Sequence, residues 1–171
     1  MKELKRKIFK SLLFSLVGGI AGGSAVSSDL WFFLMPLSLA ILWSGFDKNF
    51  SNFFWGFSFI LSSHFWLLYL HPLTWLGFSW TISIIITTLI YFGCAIVGGF
   101  LIFLWGYVAQ KLIYKKYIFS EKNIDLFLKV LLLCFIWSFS ELILSQTPLF
   151  WIGIGDSLIP GDLFLAGLAR W

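Results

Sequence analysis

The chain has 171 residues, of which 60% are hydrophobic, 21% aromatic and only 12% charged, where a soluble domain carries about 25% charged residues. A fold of this size has too little interior to hide that much apolar surface from water, which excludes a soluble globular protein and points to solvation by lipid. The net charge of +4 does not indicate nucleic acid, because the basic residues stand at the ends of apolar runs, where they act as topology signals.

Spanning the hydrocarbon layer takes about 20 apolar residues as a helix. The first such run covers about Ile8 to Val26 and follows the basic stretch KELKRK. A secretory signal peptide is the rival reading of this segment, but the apolar run is long for one. The second run covers about Leu30 to Phe46 and the third about Phe53 to Leu70. The fourth, about Thr81 to Val108, is long enough to tilt or to project from the bilayer. The fifth covers about Ile124 to Leu144. These runs predict an all-α, multi-pass helical bundle of about five transmembrane helices forming one membrane domain over residues 1–171.

Lys and Arg set the expected orientation. Lys2, Lys5, Arg6, Lys7 and Lys10 precede the first span, Lys48 follows the second, and Lys111, Lys115, Lys116 and Lys122 follow the fourth. The connections after the first and third spans carry neither residue. The positive-inside rule then puts the N-terminus in the cytoplasm and the end of the fifth span outside.

The closing stretch, residues 146–171, contains Pro148, Gly153, Gly155, Pro160 and Gly161, which interrupt any helix. Trp151 and Trp171 suit the headgroup layer, whereas Asp156 and Asp162 are costly in hydrocarbon. The stretch is therefore expected to be an interfacial or re-entrant segment on the outer face.

Several motifs weigh little on function. GDSL, from Gly155 to Leu158, matches the tetrapeptide of a serine esterase family, but no His follows it and His64 and His71 lie far upstream. Cys94 and Cys134 sit inside apolar runs without metal-ligand spacing, so no metal and no cofactor is expected. In GGIAGG, Gly18 faces the same way as Gly22 and Gly19 the same way as Gly23, a spacing that lets helices approach closely. Glu141 lies near the outer end of the fifth span, four residues after Trp137. An acidic group within a span is a functional candidate by default, and the competing reading is a shallow carboxylate that reaches water. His64 is expected to be buried among aromatics, and His71 to sit at the outer interface before Pro72.

Four stretches together resemble the N-terminal membrane part of the apolipoprotein N-acyltransferase family. The first is the glycine-rich first span followed by LWFFLMPL, with Trp31, Pro36 and Leu37. The second is FFWGFSFILSSHFWLLYLHPLTWLG. The third is WSFSELIL, where Trp137 and Glu141 form Trp-x-x-x-Glu. The fourth is the closing stretch. Departures are SSDLW in place of a Pro-rich turn, Ile143 near the place of an Arg, and TPLFW as a loose echo of GFPW.

The resemblance implies a bacterial inner-membrane protein of lipoprotein maturation. Its substrates would be membrane phospholipid as acyl donor and a diacylated lipoprotein as acceptor. Substrate-side or lipid-side candidates are Glu141, Trp137, His71, Trp151 and Asp156. The family's Glu-Lys-Cys triad belongs to a nitrilase-type outer domain that maps onto no residue here. The chain by itself is expected to be inactive, as a truncated product, a reduced paralogue or one piece of a split enzyme partnered by a separate nitrilase-like polypeptide. The alternative expectation is a non-enzymatic membrane scaffold or lipid-binding protein. A transport subunit is disfavoured, since intramembrane ionisable groups are few and no internal repeat is visible.

Overall fold

A computed structural model describes residues 2–28, 31–45, 48–114, 123–146 and 153–154. The order is α1 (Lys2–Ser27), α2 (Leu34–Ser44), α3 (Asn49–Ser63), two short 3-10 segments (Phe65–Leu70 and Leu73–Leu76), α4 (Trp80–Tyr114) and α5 (Asn123–Ser145). Among the described residues there is no strand. Among the described residues, three stretches are long and apolar enough to cross a bilayer: Ile8–Ser27, Trp80–Leu112 and Phe127–Ser145. Their outward faces carry large apolar side chains such as Phe14, Leu89, Phe100 and Phe135, as expected of a helical membrane protein.

Two elements depart from the lengths the sequence suggests. α2 has 11 residues, about 16 Å at 1.5 Å per residue, or about half the hydrocarbon thickness. Its start follows from Pro36, which lacks an N–H and fits only the first turn, so the helix begins at Leu34. The third predicted span divides instead of running straight to Leu70. α3 stops at Ser63, where Ser62 Oγ donates to Ser58 O (3.0 Å) and Ser63 Oγ lies 2.8 Å from His64 Nδ1. Such side-chain bonds compete with the helical ladder. Tighter 3-10 turns carry the chain on to a loop stabilised by Ser83.

α1 lies between α2 and α3, and α4 covers the far side of α3. The two small faces of α1 serve different partners. A methyl added at Gly18 would come within 2.6 Å of Ile41 Cγ2 on α2, and one at Gly19 would strike the Trp55 carbonyl oxygen on α3. The α3–α4 seam is equally close: a methyl at Gly56 would stand 2.6 Å from the Gly98 carbonyl oxygen. Close approach brings backbone carbonyls within reach of side-chain donors. Ser38 Oγ donates to Gly18 O (2.6 Å), Trp55 Nε1 to Ser38 O (3.1 Å), Ser58 Oγ to Leu16 O (3.0 Å) and Tyr91 Oη to Leu61 O (2.6 Å). Small residues and interhelical hydrogen bonds hold helices together where lipid supplies no hydrophobic drive. Trp55, Phe59 and Ile60 form the buried centre, with Trp55 and Phe59 stacked at 5.1 Å.

Candidate functional site

Three tryptophans from three helices build the site. Trp43 of α2 meets Trp105 of α4 edge-to-face at 5.5 Å, and Trp105 meets Trp137 of α5 edge-to-face at 5.1 Å. Perpendicular rings are a favoured aromatic geometry, and the row they form walls a cleft between α2, α4 and α5. Gly106, beside Trp105, lets Asn52 of α3 pack directly against the α4 backbone. The cleft has a volume of about 350 Å3 and is lined by Leu39, Leu42, Leu133, Cys134, Ser138 and Ile154 besides the tryptophans. Glu141 reaches into it.

Glu141 and Trp137 are four residues apart and therefore stacked on one face of α5. Trp137 Nε1 donates to Glu141 Oε1 at 2.9 Å, and the Ile154 backbone N–H donates to the same oxygen at 3.0 Å. Two donors offset part of the cost of holding a carboxylate among apolar side chains. The second bond also shows that the chain beyond α5 has turned back alongside the helix, since Ile154 meets a residue one turn before the helix end at Ser145. On the opposite side of the Trp105–Trp137 contact a second cleft of about 230 Å3 sets Ser140, Glu141 and Leu144 against Leu101, Leu104 and Val108. Glu141 thus packs against the C-terminal half of α4, away from Trp80 and from the connection that holds His71. Trp105 is buried, and its indole N–H has no hydrogen-bond partner among the described residues.

His71 is held elsewhere. Its Nδ1 lies 2.8 Å from Ser83 Oγ, which also accepts from the Leu73 backbone N–H at 2.7 Å, and Trp80 packs edge-on to the imidazole at 5.1 Å. This cluster ties the connecting loop to the first turn of α4. His64 is fully buried at the α3 end. The structure therefore joins Trp137 with Glu141 and leaves His71 at the other end of α4. Trp151 and Asp156 lie outside the described residues. No group of three or more His, Cys, Asp or Glu side chains converges among the described residues.

Trp43, Trp105 and Ile154 belong to the cleft without having stood out in the sequence. Ten tryptophans are spread through the chain, and the Trp-Gly pair at 105–106 is matched by another at 55–56, so the pattern does not mark which tryptophan joins the cleft.

Long apolar helices, lipid-facing side chains and an apolar cleft that holds a single carboxylate define a helical membrane protein. No family model matches the chain, and no solved structure does. Among curated relatives it is similar to the apolipoprotein N-acyltransferase of Prochlorococcus marinus subsp. pastoris, with 56% identity over all of this chain and 34% of the relative. The same enzyme of another Prochlorococcus marinus strain is 40% identical over all of this chain and 34% of the relative. That of Parasynechococcus marenigrum is 37% identical over 99% of this chain and 33% of the relative. The chain spans about a third of the length of these relatives. It corresponds to their N-terminal third and resembles the membrane portion of apolipoprotein N-acyltransferase.

Proposed function

We propose that residues 1–171 work as the membrane portion of an apolipoprotein N-acyltransferase, receiving a phospholipid acyl chain for transfer to the α-amino group of a diacylated lipoprotein. The observation that carries this reading is similarity along the whole chain to enzymes of that name. The cleft supports it: apolar walls between three helices suit a hydrocarbon chain, and Glu141 with its two N–H donors adds one fixed polar point. In the chemistry that the resemblance implies, a cysteine thiolate on a nitrilase-like catalytic part attacks the phospholipid ester. A thioester forms and the lysophospholipid leaves. The lipoprotein amine then attacks the thioester, forming the amide and returning the thiol. Cys94 and Cys134 lie within apolar helices and are not offered as that nucleophile.

The membrane is the bacterial inner membrane, with the N-terminus cytoplasmic and the end of α5 outside, as the Lys/Arg asymmetry between alternate connections favours. Single-cysteine variants, with Cys94 and Cys134 removed, test this with an impermeant thiol reagent on intact cells. A cysteine at Ser79 is expected to be labelled and one at Ser120 to be protected; the reverse pattern overturns the orientation.

For function, the chain is expressed alone, and also in place of the matching third of a full-length relative, in cells depleted of their own acyltransferase. Mass spectrometry of lipoprotein N-termini is expected to find tri-acylated product with the chimera and none with residues 1–171 alone. A folded, membrane-inserted chimera that yields no such product refutes the proposed role.

A further inference from the structure

A separate cavity of about 370 Å3 opens where α1 begins its apolar run and α2 turns into α3. It is lined by Lys10, Ser11, Ser15, Ser44, Gly45 and Lys48. The two ammonium groups come from different elements, one within α1 and one at the residue preceding α3. Among the described residues no carboxylate lines the cavity and neither lysine forms an ion pair. Lys48 Nζ donates to Ser11 Oγ at 3.3 Å, and Ser11 Oγ lies 3.1 Å from Ser51 Oγ, so hydroxyls and ammonium form one connected rim. Ser15 sits deeper. It is only 5% exposed, it lines the cavity, and its hydroxyl makes no hydrogen bond among the described residues. Gly45 lies opposite Ser15 in the wall, and a methyl group there would be 3.9 Å from Ser15 Oγ.

Among the described residues, two cations without a counter-ion and a buried serine whose hydroxyl has no partner leave the cavity short of an acceptor that carries negative charge. A phosphate meets both needs, with several oxygens for separate donors and charge for both lysines. We propose that this cavity is a phosphate site, and that its occupant is the headgroup of an anionic membrane phospholipid. Phe14 and Ile41 complete the wall, and Phe14 is 54% exposed on the lipid-facing side of α1. An acyl chain descending from a bound headgroup would run along Phe14, a contact that free phosphate would leave unused. Lysines at the membrane surface attract anionic lipid in any case, and the cavity adds a fixed address to that attraction. This site is apart from the tryptophan-lined cleft and stands independently of the acyl-transfer reading.

The test uses the purified full chain in mild detergent, titrated with phosphatidylglycerol and read by native mass spectrometry. The wild-type chain is expected to retain one lipid. The double variant Lys10→Gln, Lys48→Gln is expected to lose at least tenfold in affinity, and Ser15→Ala to lose a few-fold with both charges intact. Lys129→Gln on α5, which changes net charge away from the cavity, is expected to bind as wild type. Helicity by circular dichroism confirms that each variant is folded, and Ser15→Ala carries the test alone if the double variant is not. Unchanged retention in the folded lysine and serine variants overturns the site. An equal loss in Lys129→Gln reduces it to diffuse charge attraction and also overturns it. Inorganic phosphate that displaces the lipid mole for mole assigns the cavity to a free phosphate and overturns the lipid occupant.

Discussion

α4 and α5 have nearly the same mean hydropathy, 2.2 and 2.1 over their spanning stretches, yet 28% of the first is buried within the protein and only 6% of the second. Apolarity takes both into lipid; it does not decide which one packs. The difference lies in the small residues. α4 carries Ala95, Gly98, Gly99, Gly106 and Ala109, all buried, and Gly98, Gly99 and Gly106 each lie where an added methyl would strike α3. From Phe127 to Ser145, α5 has neither Gly nor Ala. Its attachment comes through Trp137, Leu133 and Glu141 instead. One region is locked by backbone proximity, the other leans on side chains around a cleft.

The contrast breaks most visibly at Gly19. Gly19→Val puts a branched side chain against the Trp55 carbonyl oxygen, and backbone cannot retreat as a side chain can. A loss of about 3 kcal/mol is expected, at the upper end for overpacking, measured by denaturant-driven unfolding in micelles. Ser138→Val makes a comparable change at an exposed position of α5 that borders the open cleft and is expected to stay within about 0.5 kcal/mol. Equal costs at the two positions would mean that close approach does not distinguish the regions.

Glu141→Ala removes the acceptor for both Trp137 Nε1 and the Ile154 N–H. Its expected cost is about 1 kcal/mol, typical of a net hydrogen-bond contribution, with the effect concentrated at Ile154. Thiol labelling of a cysteine placed at Gly153 should rise several-fold in Glu141→Ala. It should stay near wild type in Glu141→Gln, which keeps an acceptor oxygen. If Glu141→Gln frees the residue as fully as Glu141→Ala, charge rather than the acceptor holds the turned-back chain.

The smallest effect is expected at Phe135, which is 64% exposed on α5. Phe135→Ala should change stability by about 0.5 kcal/mol or less, against about 3 kcal/mol for the buried Phe59→Ala in the same assay. A large cost at Phe135 would show that α5 is held more tightly than its contacts indicate.

Much of this architecture was legible in the sequence, and the limits have physical causes. The long apolar runs at α1, α4 and α5 announce themselves because lipid rewards composition directly. The GGIAGG spacing reveals two small faces on α1, but spacing cannot name their partners. Only the fold shows that Gly18 and Gly22 face α2 with the Trp55 and Phe59 rings of α3 beside it, while Gly19 and Gly23 meet α3 alone. Pro36 could have signalled that the second helix starts late, had its missing N–H been weighed against the apolar run around it. The break after Ser63 depends on serine and histidine side chains turning onto one another and their own backbone, which hydropathy does not register. At the candidate site the pairing of Trp137 with Glu141 followed from helical spacing. Trp43, Trp105 and Ile154 come from distant parts of the chain and join only through packing.

The shortness of α2 bears on how the protein is made. A helix of 11 residues cannot settle across a bilayer unaided, and its Ser38 needs partners that lipid does not offer. Its hydroxyl donates to Gly18 O, synthesised before it, and its backbone carbonyl accepts from the Trp55 indole, synthesised after it. α2 is therefore expected to settle only when both α1 and α3 are there to pack against it. Membrane insertion of this region is expected to be a joint event of three helices rather than three entries in succession.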